Sequence, residues 1–163
     1  MNSKSILFVC MGNICRSPAA EAIMKKNIEK KNLSDKIKVD SAGVIDYHSG
    51  EPADSRMIEH AKKRGYELDS IARQFDMTKD FDRFDYIVTM DNENFEDINS
   101  MDIMNKYEHK IFRIVDFCEN CTRDEIPDPY YKGASGFEEV LDMLEDASKG
   151  LVNKVIDDIG QQN

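Results

Sequence analysis

Apolar and polar positions follow two different periods along this chain. Short apolar runs of about five residues end at polar or glycine-containing loops, which is typical of strands buried in a parallel sheet. The run from Ile6 to Cys10 is the first of them, and Tyr86, Ile87 and Val88 form the centre of another. We predict four strands, at 5–10, 36–40, 84–90 and 111–115.

Between the strands lie segments whose apolar residues recur every three or four positions, the period of an amphipathic helix. Ser17 and Pro18 predict a helix start, with Ser17 as the cap and Pro18 in the first turn. Ser135 lies three residues before Glu138, the spacing of a capping box, and Gly160 is expected to stop that last helix. We predict four helices, at 17–32, 54–64, 91–99 and 135–159.

Strands that alternate with helices predict an α/β fold, here a four-stranded parallel sheet with helices on both faces. The length of 163 residues suits a single domain, which we expect to span 1–163. In such folds ligands bind beyond the carboxyl ends of the strands. The loop after the first strand is therefore the first place to look for a functional site.

The chain is acidic, with 22 Lys and Arg against 32 Asp and Glu and a net charge of −10. This charge disfavours a nucleic-acid partner, because phosphate backbones need a basic face, and no polybasic run would attract an anionic membrane. The apolar run at 6–10 is too short for a signal-peptide core or a membrane span. We therefore expect a cytoplasmic protein that binds neither nucleic acid nor membrane.

The four cysteines, at 10, 15, 118 and 121, could form two disulfides. A domain of this size folds without such bonds, so we expect free thiols with a chemical role. Cys118 and Cys121 have the C-x-x-C spacing of redox pairs, and with His109 they could also form half of a zinc site. Two thiolates without a second matching pair are weak evidence for zinc, so we expect no metal and no cofactor.

The loop between the first strand and the first helix has the features of an anion site. Gly12 and Asn13 tolerate the positive φ that a ring of converging N–H groups requires, and the helix start adds its dipole. Arg16 supplies a planar fork that matches two phosphate oxygens. We expect the phosphate to be held by the loop residues Met11, Gly12, Asn13, Ile14, Cys15 and Ser17.

Cys10 would lie at the base of this loop, among donors that favour the thiolate over the thiol. A thiolate there can attack phosphorus directly and form a phosphocysteine intermediate, and a hydrogen bond from Ser17 would help the sulfur to leave again. The alternative is a structural turn with two buried cysteines, since a cysteine followed by an arginine six residues later is by itself a weak motif. Cys15 is close enough on the loop to trap an oxidised Cys10 as a reversible disulfide.

Cleavage of a phosphate ester also needs a proton for the leaving oxygen. Asp128 is the best candidate, because prolines on both sides stiffen its backbone and fix its direction. Tyr130 and Tyr131 follow it and could form an aromatic wall for a flat substrate ring. The alternative is a proline-defined surface turn with partly buried tyrosines.

Together these segments resemble the low-molecular-weight protein tyrosine phosphatases over nearly the whole chain. The matching motifs are Cys10-Met11-Gly12-Asn13-Ile14-Cys15-Arg16-Ser17-Pro18, Asp40-Ser41-Ala42-Gly43, Ala72-Arg73-Gln74, Phe84-Asp85-Tyr86-Ile87, Met90-Asp91 and Asp128-Pro129-Tyr130-Tyr131. The resemblance implies a cytoplasmic, metal-independent hydrolase of phosphotyrosine and small aryl phosphates, which releases inorganic phosphate; we expect a monomer.

The resemblance also implies roles for single residues. Cys10 would be the nucleophile, Arg16 would bind the phosphoryl group, and Asp128 would act first as acid and then as base. Asn13 and Ser41 would hold the loop in shape, although Ser70 stands where many members carry a histidine of the same network. The mouth of the cleft would be lined by Tyr47, Tyr130 and Tyr131.

Three alternatives remain. An arsenate reductase shares the fold and the loop but needs additional cysteines as a relay, and Cys118 and Cys121 lie outside the segment that usually carries it. An arginine phosphatase of the same family typically has Thr in place of Ile14. A phosphate-binding module without catalysis is disfavoured because Cys10, Arg16 and Asp128 occur together.

Overall fold

The computed structural model describes residues 3–161, so the two outermost positions at each end of the expected 1–163 domain lie outside it. Four parallel strands form one sheet in the order β2-β1-β3-β4. These strands are β1 (Lys4–Cys10), β2 (Ile37–Gly43), β3 (Tyr86–Thr89) and β4 (Ile111–Arg113). The helices are α1 (Arg16–Lys30), α2 (Ser55–Lys63), α3 (Asp80–Arg83), α4 (Asn92–Met101) and α5 (Ala134–Gln161). The predicted α/β class and four-stranded parallel sheet are confirmed.

Helices cover both faces of the sheet because β1 is apolar on both of its sides. Ile6 and Phe8 point into the larger core beneath α1 and α5, whereas Leu7 and Val9 point into a second core beside α4. Successive side chains of a strand point to opposite faces, so a continuous apolar run serves two cores at once. None of the helices in residues 3–161 combines the length and the apolar character needed to cross a membrane.

The strand order places a topological switch at β1. The chain leaves β1 to form β2 on one side and later returns to form β3 on the other. Connections that diverge in this way open a crevice at the carboxyl end of the strand. The loop that follows Cys10 lies in that crevice, as the sequence predicts.

The start of α1 differs from the prediction. The helix begins at Arg16, and Cys15 is its N-terminal flanking residue, without a capping bond from its side chain. The assignment of Ser17 as the cap was wrong, because its hydroxyl lies 3.0 Å from the Cys10 sulfur instead. Ser17 is thus a residue of the site.

The last helix also differs at both ends. It begins at Ala134, one residue before Ser135, and Glu138 pairs with Arg64 and His60 instead of closing a capping box. It continues through Gly160 to Gln161, since one glycine costs a helix only about 1 kcal/mol relative to alanine.

Three further features differ from the predicted elements: the length of β2, the presence of α3 and the end of β4. β2 continues past Asp40 to Gly43 through small residues that pair in register with β1, where no apolar alternation marks a strand. The single-turn helix α3 was not predicted, and β4 ends at Arg113, after which the chain forms a 3-10 helix at Ile114–Phe117. Pairing with neighbouring strands, more than local sequence, sets the boundaries of β2 and β4.

Candidate active site

Cys10 ends β1, and α1 begins at Arg16, so only five residues form the loop between them. Asn13 has a φ of 60°, the left-handed turn that curls the loop back over the strand. The carbonyl oxygens of Cys10 and Met11 accept hydrogen bonds from the amides of Val44 and Ile45, at 2.9 and 3.0 Å. These bonds fasten the outer side of the loop to the chain after β2.

Cys10 is 3% exposed as a residue, and its sulfur lies among hydrogen-bond donors. The amide of Asn13 donates to it at 3.3 Å, and Ser17 Oγ lies at 3.0 Å. Asn13 Nδ2 donates to Ser17 Oγ at 2.8 Å, and the Ala42 carbonyl oxygen lies 3.5 Å from the same hydroxyl. A thiolate has no proton to give, so with the sulfur charged the Ser17 hydroxyl is the donor of the Ser17–Cys10 pair. Two donors and the N-terminus of α1 stabilise negative charge on this sulfur.

Asn13 is the central residue of the loop support. Its side chain is 1% exposed and connects two elements: Nδ2 donates to Ser17, and Oδ1 accepts from the amide of Arg73 at 3.0 Å. Arg73 itself is fixed by ion pairs to Asp40 and Asp80. The loop is thus held by a backbone amide 60 residues away.

Ser41 is the other residue that was expected to support the loop, and Ser70 stands where the resemblance implies a supporting histidine. The Ser41 hydroxyl donates to Glu21 Oε1 at 2.6 Å, which ties β2 to α1 beneath the loop. Ser70 borders a small pocket beside Pro18 and Glu21. The backbone of Gly43 packs directly behind the loop. A Cβ atom at this position would lie only 2.9 Å from the Met11 carbonyl oxygen, so a residue with a side chain does not fit there without a shift of the loop.

Arg16 is 3% exposed, and its guanidinium is held from one side. Nη1 donates to Asp91 Oδ2 at 2.6 Å and to the Ile126 carbonyl at 3.0 Å, whereas Nη2 lies 3.9 Å from Asp128. Burial acts to lower the pKa of Arg16, but the Cys10 sulfur, Asp91 and Asp128 together raise this pKa above its ordinary value. The side chain therefore stays charged and fixed in orientation.

Asp91 is a site residue that our sequence reasoning did not assign. It caps α4 through the amide of Asn94 and at the same time holds Arg16. The available signal was its position directly after β3, the strand beside β1, where the carboxyl ends of both strands meet.

Asp128 lies at the edge of the same site, with its side chain 44% exposed. Its Oδ1 accepts a hydrogen bond from the amide of Tyr130 at 3.0 Å, which closes a short turn. Ile126 fastens the start of this segment, because its amide donates to the Met90 carbonyl at 2.9 Å and its own carbonyl accepts from Arg16. The structure therefore brings Cys10, Arg16 and Asp128 together.

A cavity of about 320 Å³ opens over the loop. Tyr47 and Tyr131 stand at its mouth, 81% and 92% exposed, and Tyr130 forms a half-buried wall. His48 also lines the cavity and pairs with Glu51 through Nδ1 at 2.5 Å. The full lining is Cys10, Met11, Gly12, Ile14, Cys15, Arg16, Ile45, Tyr47, His48, Asp128, Tyr130 and Tyr131.

The remaining cysteines behave in two ways. Cys15 is a free, buried thiol in the cavity wall, and burial, with the negative charges of Asp54 and Cys10, raises the pKa of this thiol far above its ordinary value. Cys118 and Cys121 form a disulfide, so the expectation of four free thiols was wrong. Their sulfurs lie near Asp146, but sulfurs bonded to each other are not available as metal ligands.

A buried cysteine sulfur at the carboxyl end of a parallel strand, a fixed arginine and a facing carboxylate define the class of cysteine-dependent phosphatases. The model of the family described as low molecular weight phosphotyrosine protein phosphatase matches residues 5–161. The chain belongs to this family.

Individual relatives agree with this assignment. A solved protein tyrosine phosphatase from Entamoeba histolytica has 50% sequence identity and a TM-score of 0.92, covering 95% of this chain and 98% of its own. The low molecular weight protein-tyrosine-phosphatase YfkJ of Bacillus subtilis is 40% identical over 93% of this chain and 95% of its own length. A solved arginine phosphatase from Drosophila has 32% identity and a TM-score of 0.84, covering 91% of this chain and 96% of its own.

Proposed function

We propose that this phosphatase hydrolyses phosphotyrosine on proteins, and small aryl phosphates, through a phosphocysteine intermediate formed on Cys10. The observation that carries the proposal is the meeting of the Cys10 sulfur, the Arg16 fork and the Asp128 carboxyl in one cavity. The activity would reside in a single domain spanning 1–163.

In the first step the Cys10 thiolate attacks phosphorus, an S–P bond forms and the bond from phosphorus to the phenol oxygen breaks. The loop residues Met11 to Cys15 and the Arg16 guanidinium surround the phosphoryl oxygens and stabilise the charge that develops on them. Asp128 gives its proton to the departing phenol oxygen. Because Asp128 faces solvent on one side, it can exchange protons between turnovers.

In the second step water attacks phosphorus, the S–P bond breaks and inorganic phosphate is released. Asp128, now a carboxylate, takes the proton from this water. The Ser17 hydroxyl, held by Asn13, donates to the sulfur as it leaves with its electron pair. Ser17 thus acts in the reaction, and Asn13 maintains the geometry it needs.

The cavity supports an aromatic substrate. Tyr47, Tyr130 and Tyr131 surround its mouth, and Tyr130 and Tyr131 contact each other edge-on with ring centroids 4.9 Å apart. A phosphorylated phenol can pass between such walls with its phosphate on the loop. Inside the cell we place the enzyme in the cytoplasm as a monomer, with a charge of −10 that disfavours nucleic acid.

Two alternatives are less well supported by the site. An arsenate reductase needs relay thiols that reach the nucleophile, whereas Cys118 and Cys121 are bonded to each other and do not line the cavity. An arginine phosphatase would replace the proton-accepting phenol by a guanidinium, and the lining offers Ile14 at the position where that branch typically has Thr.

Substrate choice separates these functions directly. In buffer with a chelator, we expect p-nitrophenyl phosphate and a phosphotyrosine peptide to be hydrolysed at least about 100-fold faster than a phosphoarginine peptide. Arsenate reduction, measured with thioredoxin and its reductase, should not exceed the background. Rapid arsenate reduction, or preference for phosphoarginine, would contradict the proposal.

We further propose that Cys15 protects Cys10 during oxidation. Peroxide converts the Cys10 thiolate to a sulfenic acid, which removes one of the negative charges that raise the pKa of Cys15. Cys15 then gives up its proton and attacks that sulfur: an S–S bond forms, the S–O bond breaks, and the hydroxyl group leaves with the proton as water. Cys10 directly precedes the loop, Cys15 is its last residue, and both line one cavity, which supports this route. A dithiol then restores both thiols.

The matching experiment compares recovery after peroxide. Wild-type enzyme should regain its activity with dithiothreitol, whereas Cys15→Ser should stay inactive because its sulfenic acid oxidises further. The variant Cys118→Ser/Cys121→Ser should recover like wild type, which separates the two cysteine pairs. Full recovery of Cys15→Ser would overturn the protective role.

A further inference from the structure

The segment that carries Asp128 has no regular secondary structure of its own. It connects the 3-10 helix that ends at Phe117 to α5, which begins at Ala134. Ile126 fastens it on one side, next to Arg16. Asp128 itself is partly exposed, so another contact must fix the far side of the segment if the acid is to keep one position relative to Cys10.

Arg56, on the first turn of α2, supplies this contact. Its Nη1 donates to the carbonyl oxygen of Tyr130 at 2.9 Å, two residues beyond Asp128. The same guanidinium stacks on the Tyr130 ring and on Phe137 of α5, with centroid distances of 5.1 and 5.0 Å. One side chain thus holds both the backbone and the ring of Tyr130.

Asp54 in turn fixes the guanidinium of Arg56. Its two carboxylate oxygens accept from Arg56 Nε at 3.1 Å and from Nη2 at 2.8 Å, a bidentate pair that sets the plane of the fork. The hydrogen bond and the negative charge of Asp54 raise the pKa of Arg56 above its ordinary value, and desolvation acts in the opposite direction. The bidentate pair thus directs the charged guanidinium of Arg56 toward Tyr130.

The same residue joins the pair to the phosphate loop. The amide of Asp54 donates to the carbonyl oxygen of Ile14 at 2.8 Å. A continuous series of bonds runs from Ile14 through Asp54 and Arg56 to Tyr130, and so connects the loop of the nucleophile to the segment of the acid.

We infer that Arg56 is a positioning residue for general acid catalysis: through Tyr130 it sets the distance between Asp128 and the leaving oxygen above Cys10. This inference rests on the proposed function. Arg56 touches neither the nucleophile nor the phosphoryl group, and its effect on the reaction passes through Asp128. It should therefore matter only when the leaving group needs a proton.

A pair of substrates with different leaving groups tests this role. We expect Arg56→Met, which keeps the apolar stem, to lower kcat/KM for phenyl phosphate about tenfold, since a displaced acid loses much of its contribution. For 2,4-dinitrophenyl phosphate, whose phenol leaves without a proton, the loss should stay below about twofold. Arg56→Lys, which keeps the charge and one donor, should recover part of the loss.

Two controls separate positioning from a general loss of structure. Arg64, at the other end of α2, pairs with Glu138, Asp142 and Glu145 of α5. Arg64→Met should lower the unfolding temperature, and any change in kcat/KM should be the same for both substrates. In an Asp128→Ala background, Arg56→Met should cost nothing further with phenyl phosphate.

The outcomes are distinct. Equal losses on both substrates, or a further loss in the Asp128→Ala background, would overturn the positioning role. A wild-type enzyme that left both aryl phosphates intact would instead overturn the proposed function, whatever Arg56 did. If Arg56→Met unfolds at assay temperature, the losses of kcat/KM on the two substrates are compared for Arg56→Lys instead.

Discussion

Replacing Cys10 with serine should abolish turnover, with kcat for p-nitrophenyl phosphate falling by at least about 10⁴-fold. The site stabilises a sulfur anion through Ser17, the amide of Asn13 and the start of α1. Serine offers a hydroxyl that holds its proton far more tightly, and these neighbours are donors that cannot remove it. The loop and Arg16 would remain, so the variant should still bind phosphate.

Steady-state hydrolysis and acid-quenched mass spectrometry measure the two parts of this prediction. Wild-type enzyme quenched during turnover should carry one phosphoryl group on Cys10, and Cys10→Ser should carry none. Cys118→Ser/Cys121→Ser removes two sulfurs that do not line the cavity and should keep wild-type kcat within about twofold. Substantial turnover by Cys10→Ser would refute covalent catalysis at this residue.

The proposed nucleophile and its loop were predictable because they are contiguous in the sequence. Cys10 to Ser17 carry the turn residues, the donors and the helix start within eight positions, so local sequence contains nearly the whole anion site. The left-handed conformation of Asn13 follows from its residue type as much as from the fold. The continuous apolar run of β1 predicted the buried strand that presents the loop.

The residues that hold the catalytic groups were not predictable in the same way. Asp91 meets Arg16 across 75 positions, and Arg56 meets Tyr130 across 74, through contacts that exist only after the sheet and α2 have packed. No periodicity or motif encodes such distances, although the position of Asp91 after a strand was a usable signal. The Cys118–Cys121 disulfide was missed because the pair's spacing fits both thiols and a bond.

The difference between local sequence signals and contacts made only in the fold explains why Ser17 was wrongly predicted to cap α1. The sequence alone makes Ser-Pro a good helix start, but the Cys10 sulfur and Asn13 bind the hydroxyl that would have capped the helix. A residue that departs from its local role marks a functional constraint. The unsatisfied start of α1 is the feature that makes the loop a site for an anion.

Replacing Arg16 with lysine should lower kcat/KM for p-nitrophenyl phosphate about 10²- to 10³-fold, mostly through kcat. Arginine can use Nη1 to hold Asp91 and the Ile126 carbonyl while Nη2 stays toward Asp128 and the cavity. The single ammonium of lysine cannot do both, and it has no planar fork to match two phosphoryl oxygens. Because lysine keeps the positive charge, the loss of kcat/KM would measure what the planar guanidinium geometry contributes.

Arg83→Lys is the matched control, because Arg83 lies at the end of α3, beside the amino-terminal end of β1, where its carbonyl accepts from Ser5. It should keep wild-type kinetics, and unfolding curves of both variants would show whether each is folded. The inhibition constant of inorganic phosphate should rise for Arg16→Lys but not for Arg83→Lys, because the product binds to the same loop and arginine as the substrate's phosphoryl group. If Arg16→Lys kept kcat/KM within about threefold of wild type, positive charge without the fork would suffice, and the role assigned to the Asp91 contact would be lost.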